Sequence, residues 1–116
     1  INQLIWRHLE ERDWQNNPSR SLAISIALEA GELLEHYQWE DKAVGDREAL
    51  AEELADIFIY GFEFAQNEGI DIPKAIQTKL KKAGQKYPAA TFKGKSRDEK
   101  NVAWINAKLT HKKEGL

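Results

Sequence analysis

The stretch Leu22-Ala23-Ile24-Ser25-Ile26-Ala27-Leu28-Glu29-Ala30-Gly31-Glu32-Leu33 decides how the rest of the chain is read. At about 100° per residue, Leu22, Ile26, Ala30, Leu33 and Tyr37 share one face of a helix. Ile24 and Leu28 lie on roughly the opposite side, and no charge occurs from Leu22 to Leu28. A helix that is apolar most of the way round is buried on several sides. A chain of 116 residues has few internal neighbours to cover it. A second helix-forming stretch repeats the pattern, with Leu54, Ile57 and Gly61 on one side and Phe58, Ile59 and Phe62 on the other. These two helices are therefore expected at the centre of a bundle shared between subunits. The simpler alternative is a monomeric four-helix bundle with a broad core.

The neighbouring helices follow from their end signals. Ile1 to Gln15 reads as a helix with Leu4, Ile5 and Leu9 at helical spacing. Asn16-Asn17-Pro18-Ser19 stops it and offers a cap to the helix that follows, from about Ser19 to Gln38. After a charged loop from Glu40 to Gly45, Asp46 caps a third helix, which continues to about Glu68 and ends at Gly69. Asp71 caps a fourth, with Pro73 in its first turn, where a missing N–H costs nothing. That helix ends before Tyr87-Pro88, and Ala89 to Lys95 reads as a loop. Ser96 with Glu99 fits a capping box for a last helix to about Lys112. No segment alternates with period two for long enough to form a strand. The expected fold is all-α: a four-helix bundle with an additional C-terminal helix, assembled as a dimer or tetramer. It is expected to be a single domain over residues 1–116, with its core to about 96 and a helical extension over about 97–116.

Composition narrows the function classes. The absence of Cys excludes a disulfide scaffold, a thiolate zinc site and a cysteine nucleophile. No apolar run approaches the roughly 20 residues that span a bilayer. No basic-then-apolar leader is seen, so a cytoplasmic protein is expected. The net charge of -2 hides a polar layout: residues 10 to 71 hold sixteen of the nineteen acids and four basic residues, whereas residues 79 to 113 hold eleven Lys/Arg and two acids. Such a chain can bind metal with one part and phosphate with the other, or simply present two solvated helix faces.

The chemistry points to two carboxylate pairs. Glu29 and Glu32 lie in the second helix, Glu53 and Asp56 in the third, each pair at i, i+3. That spacing projects both carboxylates from one face, about 5 to 6 Å apart at Cβ, where like charges repel. Twenty residues separate the pairs, enough for a turn of helix, a loop and an antiparallel return. Side-by-side packing would then gather four carboxylates that need a cation or protons. Hard oxygen donors on rigid helices suit Mg²⁺ or Mn²⁺, with open positions for water and phosphate oxygens. Gly31 and Gly61 sit mid-helix at a cost of about 1 kcal/mol each relative to Ala. They imply close approach of a ligand or of another helix.

Glu29-Ala-Gly-Glu32-Leu33, Trp39, Glu52-Glu53-Leu-Ala-Asp56-Ile-Phe-Ile-Tyr60, Lys79 and Lys86-Tyr87-Pro88 together resemble the MazG-like all-α nucleoside triphosphate pyrophosphohydrolases. Arg12-Asp13-Trp14 and Gln38-Trp39 are similar to the dCTP pyrophosphatase type within them. The resemblance covers residues 10 to about 96 and implies hydrolysis between the α and β phosphates, giving a nucleoside monophosphate and pyrophosphate, as nucleotide-pool house-cleaning. It implies Mg²⁺ ligands at Glu29, Glu32, Glu53 and Asp56, phosphate contacts at Lys79, Lys86 and Tyr87, and base-pocket aromatics at Trp14, Trp39 and Tyr60. It also implies a dimer, or a tetramer built from dimers. One position departs: where the family often has Asn four residues after the matching Lys, this chain has Ala83.

Read from the residues, the same mechanism follows. Divalent metals between the carboxylates and a triphosphate would polarise the α-phosphoryl group and lower the pKa of a bound water. Glu29 or Glu32 is the candidate base for that water. Tyr60, seven residues after Glu53, lies on the carboxylate face, and His36 stands in the same relation to Glu29, with a surface or interface role as its alternative. His8 and His111 read as surface residues, Trp6 and Trp104 as packing or interface residues. A di-iron bundle would need Glu-x-x-His pairs, and His36 stands one place late for that. The non-enzyme alternative is a helical oligomer binding nucleic acid or a protein partner through its basic C-terminal region.

Overall fold

Six helices carry the chain in the computed structural model, which describes residues 1–113: α1 (Asn2–Glu10), α2 (Ser19–Glu35), α3 (Arg47–Glu68), α4 (Ile72–Lys86), α5 (Ala89–Phe92) and α6 (Arg97–Lys113). Among the described residues no strand occurs. The chain divides into two compact units, one over Ile1–Ile72 and the other from Pro73 onward. The first unit holds α1 to α3, and α4 begins at that unit's last residue.

In the first unit α2 and α3 pack as an antiparallel pair, with α1 against α3. The direction is fixed by contacts at both ends. Asn17, just before α2, bonds to Glu63 and Asn67 late in α3, while His36, just after α2, lies against Gly45 and Glu53 at the α3 start. Leu9, Leu22 and Ala65 are the buried apolar residues of this core. Leu22 is only 1% exposed, in line with its place on the apolar face of the second helix.

Helix ends follow ordinary capping chemistry. The Asp46 side chain accepts the Ala49 N–H at 2.9 Å, satisfying one of the donors left free at the start of α3. Gly69, with φ +65°, closes α3, and the Ile70 N–H reaches back to the Ala65 carbonyl at 2.8 Å. The end of α1 is built the same way with a different residue. Asp13 takes φ +54°, the Trp14 N–H returns to the Leu9 carbonyl at 2.9 Å, and the Asp13 N–H to Glu10 at 3.2 Å. This closure stops α1 at Glu10 rather than at Gln15, and it turns Trp14 back toward the helix.

Other boundaries also differ from expectation. The second helix ends at Glu35 rather than Gln38, because the Val44 N–H takes the His36 carbonyl at 2.9 Å and the loop begins there. Its N-cap position is Pro18, with no side-chain cap bond, instead of a Ser or Asn cap. Ala89 to Lys95 is not all loop. Pro88 starts the short helix α5, whose close is the Lys93 N–H to Ala89 carbonyl bond at 2.8 Å.

The second unit holds most of α4 together with α5 and α6. Ser96 and Glu99 make the reciprocal capping box, each bond at 3.2 Å. Tyr87 stacks on Trp104, with centroids 6.4 Å apart and planes within 10°, and meets Phe92 edge-on at 5.8 Å. Trp104 is thus a packing residue of this unit.

The remaining apolar faces of the first unit are open. On α2, Ile24 and Leu28 are 51% and 64% exposed, and Gly31 follows on the same side. On α3, Leu54 and Phe58 are one turn apart and both exposed, so Phe58 shares the Leu54 side rather than opposing it. A Cβ built at Gly31 or Gly61 meets nothing within 4 Å. Neither glycine marks a close approach among the described residues.

Candidate active site

Antiparallel packing of α2 on α3 makes Glu29, Glu32, Glu53 and Asp56 electrostatic neighbours. The Glu29 carboxyl is pushed above its ordinary value by burial first, then by a side-chain hydrogen bond with Glu32 and by the charges of Glu32, Asp56 and Glu53. Glu29 Oε2 and Glu53 Oε2 are both buried without a hydrogen-bond partner. Hard, desolvated oxygens that lack a counter-charge are a fitting donor set for a divalent cation. Among the described residues no three acid or imidazole side chains are already drawn into a closed ligand set. The four carboxylates are neighbours that a cation would gather.

His36 adds a part that its surface alternative leaves out. Its Nε2 lies 3.3 Å from Glu53 Oε2, and both side chains are largely covered. The two atoms are close without a hydrogen bond between them, since that oxygen has no hydrogen-bond partner. The Gly45 N–H donates to Nδ1 at 3.1 Å, which leaves the neutral ring's proton on Nε2, facing Glu53. Gly45 is required for this. A Cβ there would collide with His36 Cε1 and Nδ1.

Beyond Asp56 the site opens into a cavity of about 570 Å³ between α1 and α3. Ile5, Leu9, Trp14 and Ile59 supply apolar wall, while Asn17, Asp56, Tyr60 and Glu63 supply polar groups. Asp56 belongs to both the carboxylate cluster and the cavity wall. The Tyr60 phenol is raised above its ordinary value by burial and by Glu29, Asp56, Glu63 and Glu32, so it remains a proton donor. His8 also lines the cavity, edge-on to Trp14 at 6.1 Å, and so is not merely a surface residue. Arg12 lies over the Trp14 ring at 5.9 Å.

The other expected site residues are not among those lining this cavity. Trp39 stands in the loop after α2, 83% exposed, and is no part of the cavity wall. Lys79 and Lys86 lie on α4, in the second unit. Lys86 Nζ sits 5.4 Å from the Tyr87 ring centre, and that ring is taken up by the Trp104 stack.

Residues 24–102 match the MazG-like family. This chain belongs to it. The MazG-like segment contains all four carboxylates, His36, Glu63, Lys79, Lys86 and Tyr87, whereas Trp14 and Asn17 precede it. The chain is 34% identical over 103 residues to dCTP pyrophosphatase 1 of Rattus norvegicus and 35% identical over 106 residues to dCTP pyrophosphatase 1 of Homo sapiens. Those alignments cover 81% and 84% of this chain, and 61% and 62% of the relatives. The chain thus spans about three-fifths of the length of the relatives it matches.

Glu63 was missed from the sequence of this MazG-like chain, although a signal for it exists. Glu53, Asp56, Tyr60 and Glu63 fall at i, i+3, i+7 and i+10, one polar stripe along α3. Asn17 carried no such signal, because only the fold brings it to Glu63.

Proposed function

We propose that this MazG-like chain is a single catalytic domain that hydrolyses a nucleoside triphosphate, with a dCTP-like substrate favoured, to the monophosphate and pyrophosphate. The observation that carries the reading is the pair of orphaned oxygens on Glu29 and Glu53, set in a cluster that opens at Asp56 into an apolar cavity. The names of the relatives, dCTP pyrophosphatase 1, support the substrate class.

Glu29, Glu32, Glu53 and Asp56 would hold Mg²⁺ or Mn²⁺. The cation, when bound, would offset the triphosphate's charge against the carboxylates, polarise the α-phosphoryl group and lower the pKa of a bound water. The protein's own part is positioning. Glu29 or Glu32 orients the water for in-line attack on the α phosphorus, and pyrophosphate leaves from the opposite side. Tyr60, kept protonated by burial and by its acidic neighbours, donates a hydrogen bond beside Asp56. Trp14 and the apolar wall of the cavity take the base and exclude water. His36 holds Glu53 in place from outside the ligand set.

Lys79, Lys86 and Tyr87 are proposed to receive the β and γ oxygens, and Trp39 to stack on the base. Ala83 lies between the two lysines on α4 and makes no side-chain hydrogen bond to a nucleotide. The open faces around Ile24, Leu28 and Gly31 on α2, and around Leu54, Phe58 and Gly61 on α3, support a homo-oligomer, dimer or tetramer, in which these faces meet. No described helix is long and apolar enough to cross a membrane, and a cytoplasmic place and a house-cleaning role are part of the proposal.

The test is incubation with dCTP and Mg²⁺ followed by product separation. Monophosphate and pyrophosphate are expected. Diphosphate and phosphate would place the cut at the wrong bond, and salt-sensitive DNA binding without hydrolysis would favour the nucleic-acid reading.

A further inference from the structure

Glu63 is 2% exposed, yet it lines the cavity. A carboxylate is rarely buried so completely without a cation or a full set of donors. Among the described residues no cation pairs with Glu63. The hydrogen bond it receives comes from Asn17 Nδ2 at 2.9 Å. That amide has two hydrogens, and its nitrogen also donates to the Trp14 carbonyl at 3.1 Å. Asn67 Nδ2 in turn grips the Asn17 carbonyl. Both side-chain amide hydrogens of Asn17 are therefore used, so its Nδ2 aims Glu63 with no hydrogen left for a ligand. An ionised carboxylate offers about four lone-pair sites, so Glu63 keeps accepting capacity beyond the Asn17 bond.

Resting on the reading of the cavity as the base subsite, we infer that Glu63 is a specificity-determining residue that accepts an N–H from the exocyclic amino group of a nucleobase. In its ionised form the group is acceptor-only, which sets the sign of selection. An amino edge meets it with a donor, whereas a keto edge meets it lone pair to lone pair. Distance agrees. Glu63 follows Asp56 by seven residues, and at 1.5 Å per residue their backbones are roughly 10 Å apart along α3. That is comparable with the reach of a nucleoside from its 5′ oxygen to the far edge of its base. The cavity thus has a cation-binding end at Asp56 and an amino-reading end at Glu63.

Two measurements test this. The first compares hydrolysis of dCTP and dUTP, whose bases differ at one amino or keto group, by wild type and by Glu63→Gln. The Gln carbonyl can still accept from Asn17, and its amide can donate to a keto oxygen. Wild type is expected to favour dCTP, and Glu63→Gln to shrink that kcat/KM ratio at least about tenfold, partly by gaining dUTP activity. An unchanged ratio overturns the inference, including the case in which both activities fall together with the melting temperature, which would leave Glu63 a tether between the α1–α2 loop and α3. The second measures binding of deoxycytidine and deoxyuridine by NMR shift mapping, without metal or phosphate. Amino-selective binding at the cavity that Glu63→Gln abolishes supports Glu63 even if no triphosphate is cleaved, so a failure of the proposed reaction is told apart from a failure of base reading. Equal binding of both nucleosides, or of neither, overturns it.

Discussion

Residues 1–72 and residues 73–113 carry charge in opposite ways. The first unit holds sixteen acids, and its key ones are crowded along facing helices, where burial and the neighbouring Glu32, Asp56 and Glu53 raise the cost of ionising Glu29. The second holds twelve Lys/Arg against two acids, and two of its lysines lie over aromatic rings: Lys86 over Tyr87, and Lys108 over Trp104 at 4.5 Å. A solvated ammonium is stable without an anion, whereas half-buried carboxylates crowded together disfavour one another's charged form. Under the proposed function, preorganisation is therefore expected among the carboxylates and adaptability among the lysines. Removing an acid should abolish chemistry. Removing a lysine should only loosen the hold on substrate.

The sharpest way to break that contrast is Glu53→Gln. Turnover is expected to fall more than about a hundredfold, beyond the 10–100-fold typical of residues outside the ligand set, with the circular dichroism spectrum intact. Retained activity would remove Glu53 from the cluster. Next comes the support behind it. His36→Ala is expected to weaken Mg²⁺ binding about 10–100-fold by calorimetry. Gly45→Ala should do likewise, since the added methyl displaces the ring. The lysines rank third. Lys79→Ala and Lys86→Ala are expected to raise KM several-fold with little change in kcat, and a collapse in kcat would erase the distinction between the two regions.

Stability should also separate the regions. The folded state binds the Glu29 proton more tightly than the unfolded chain does, because the folded carboxyl titrates above its ordinary 4.5. That contribution is complete below 4.5 and disappears as pH rises through the folded value. Without divalent cation the melting temperature should therefore decline over this window. Mg²⁺ should restore it, and Glu29→Gln should flatten the dependence. The smallest effect is expected at Asp13. Its left-handed backbone suits glycine, so Asp13→Gly should stabilise by roughly 0.5–1 kcal/mol in denaturant unfolding, with Trp14 fluorescence reporting any shift of the ring.

Much of this was legible in the chain. The i, i+3 acids, the twenty-residue return and the Asp46, Gly69 and Ser96–Glu99 end signals are local, and the structure places them as read. The end of α1 was not legible, since Asp13 does there what glycine usually does, and propensity alone gives no reason to stop. His36 and Glu63 stood on the right stripes, but their partners are 9 and 46 residues away, and no periodicity reports a tertiary contact. Trp39 shows the reverse. Its position beside a charged loop was readable, while its 83% exposure is a property of the fold.

The stripe from Glu53 to Glu63 has a final consequence. Because one unbroken helix bears both extremes of the pocket, their separation is a ruler graduated by helical pitch, which no hinge or loop can reset. A single residue inserted between Asp56 and Tyr60 would swing the downstream marks by about 100° and advance them by about 1.5 Å. Ligands with a stretched or shortened tether would then be mismeasured however well each end suited its own contact.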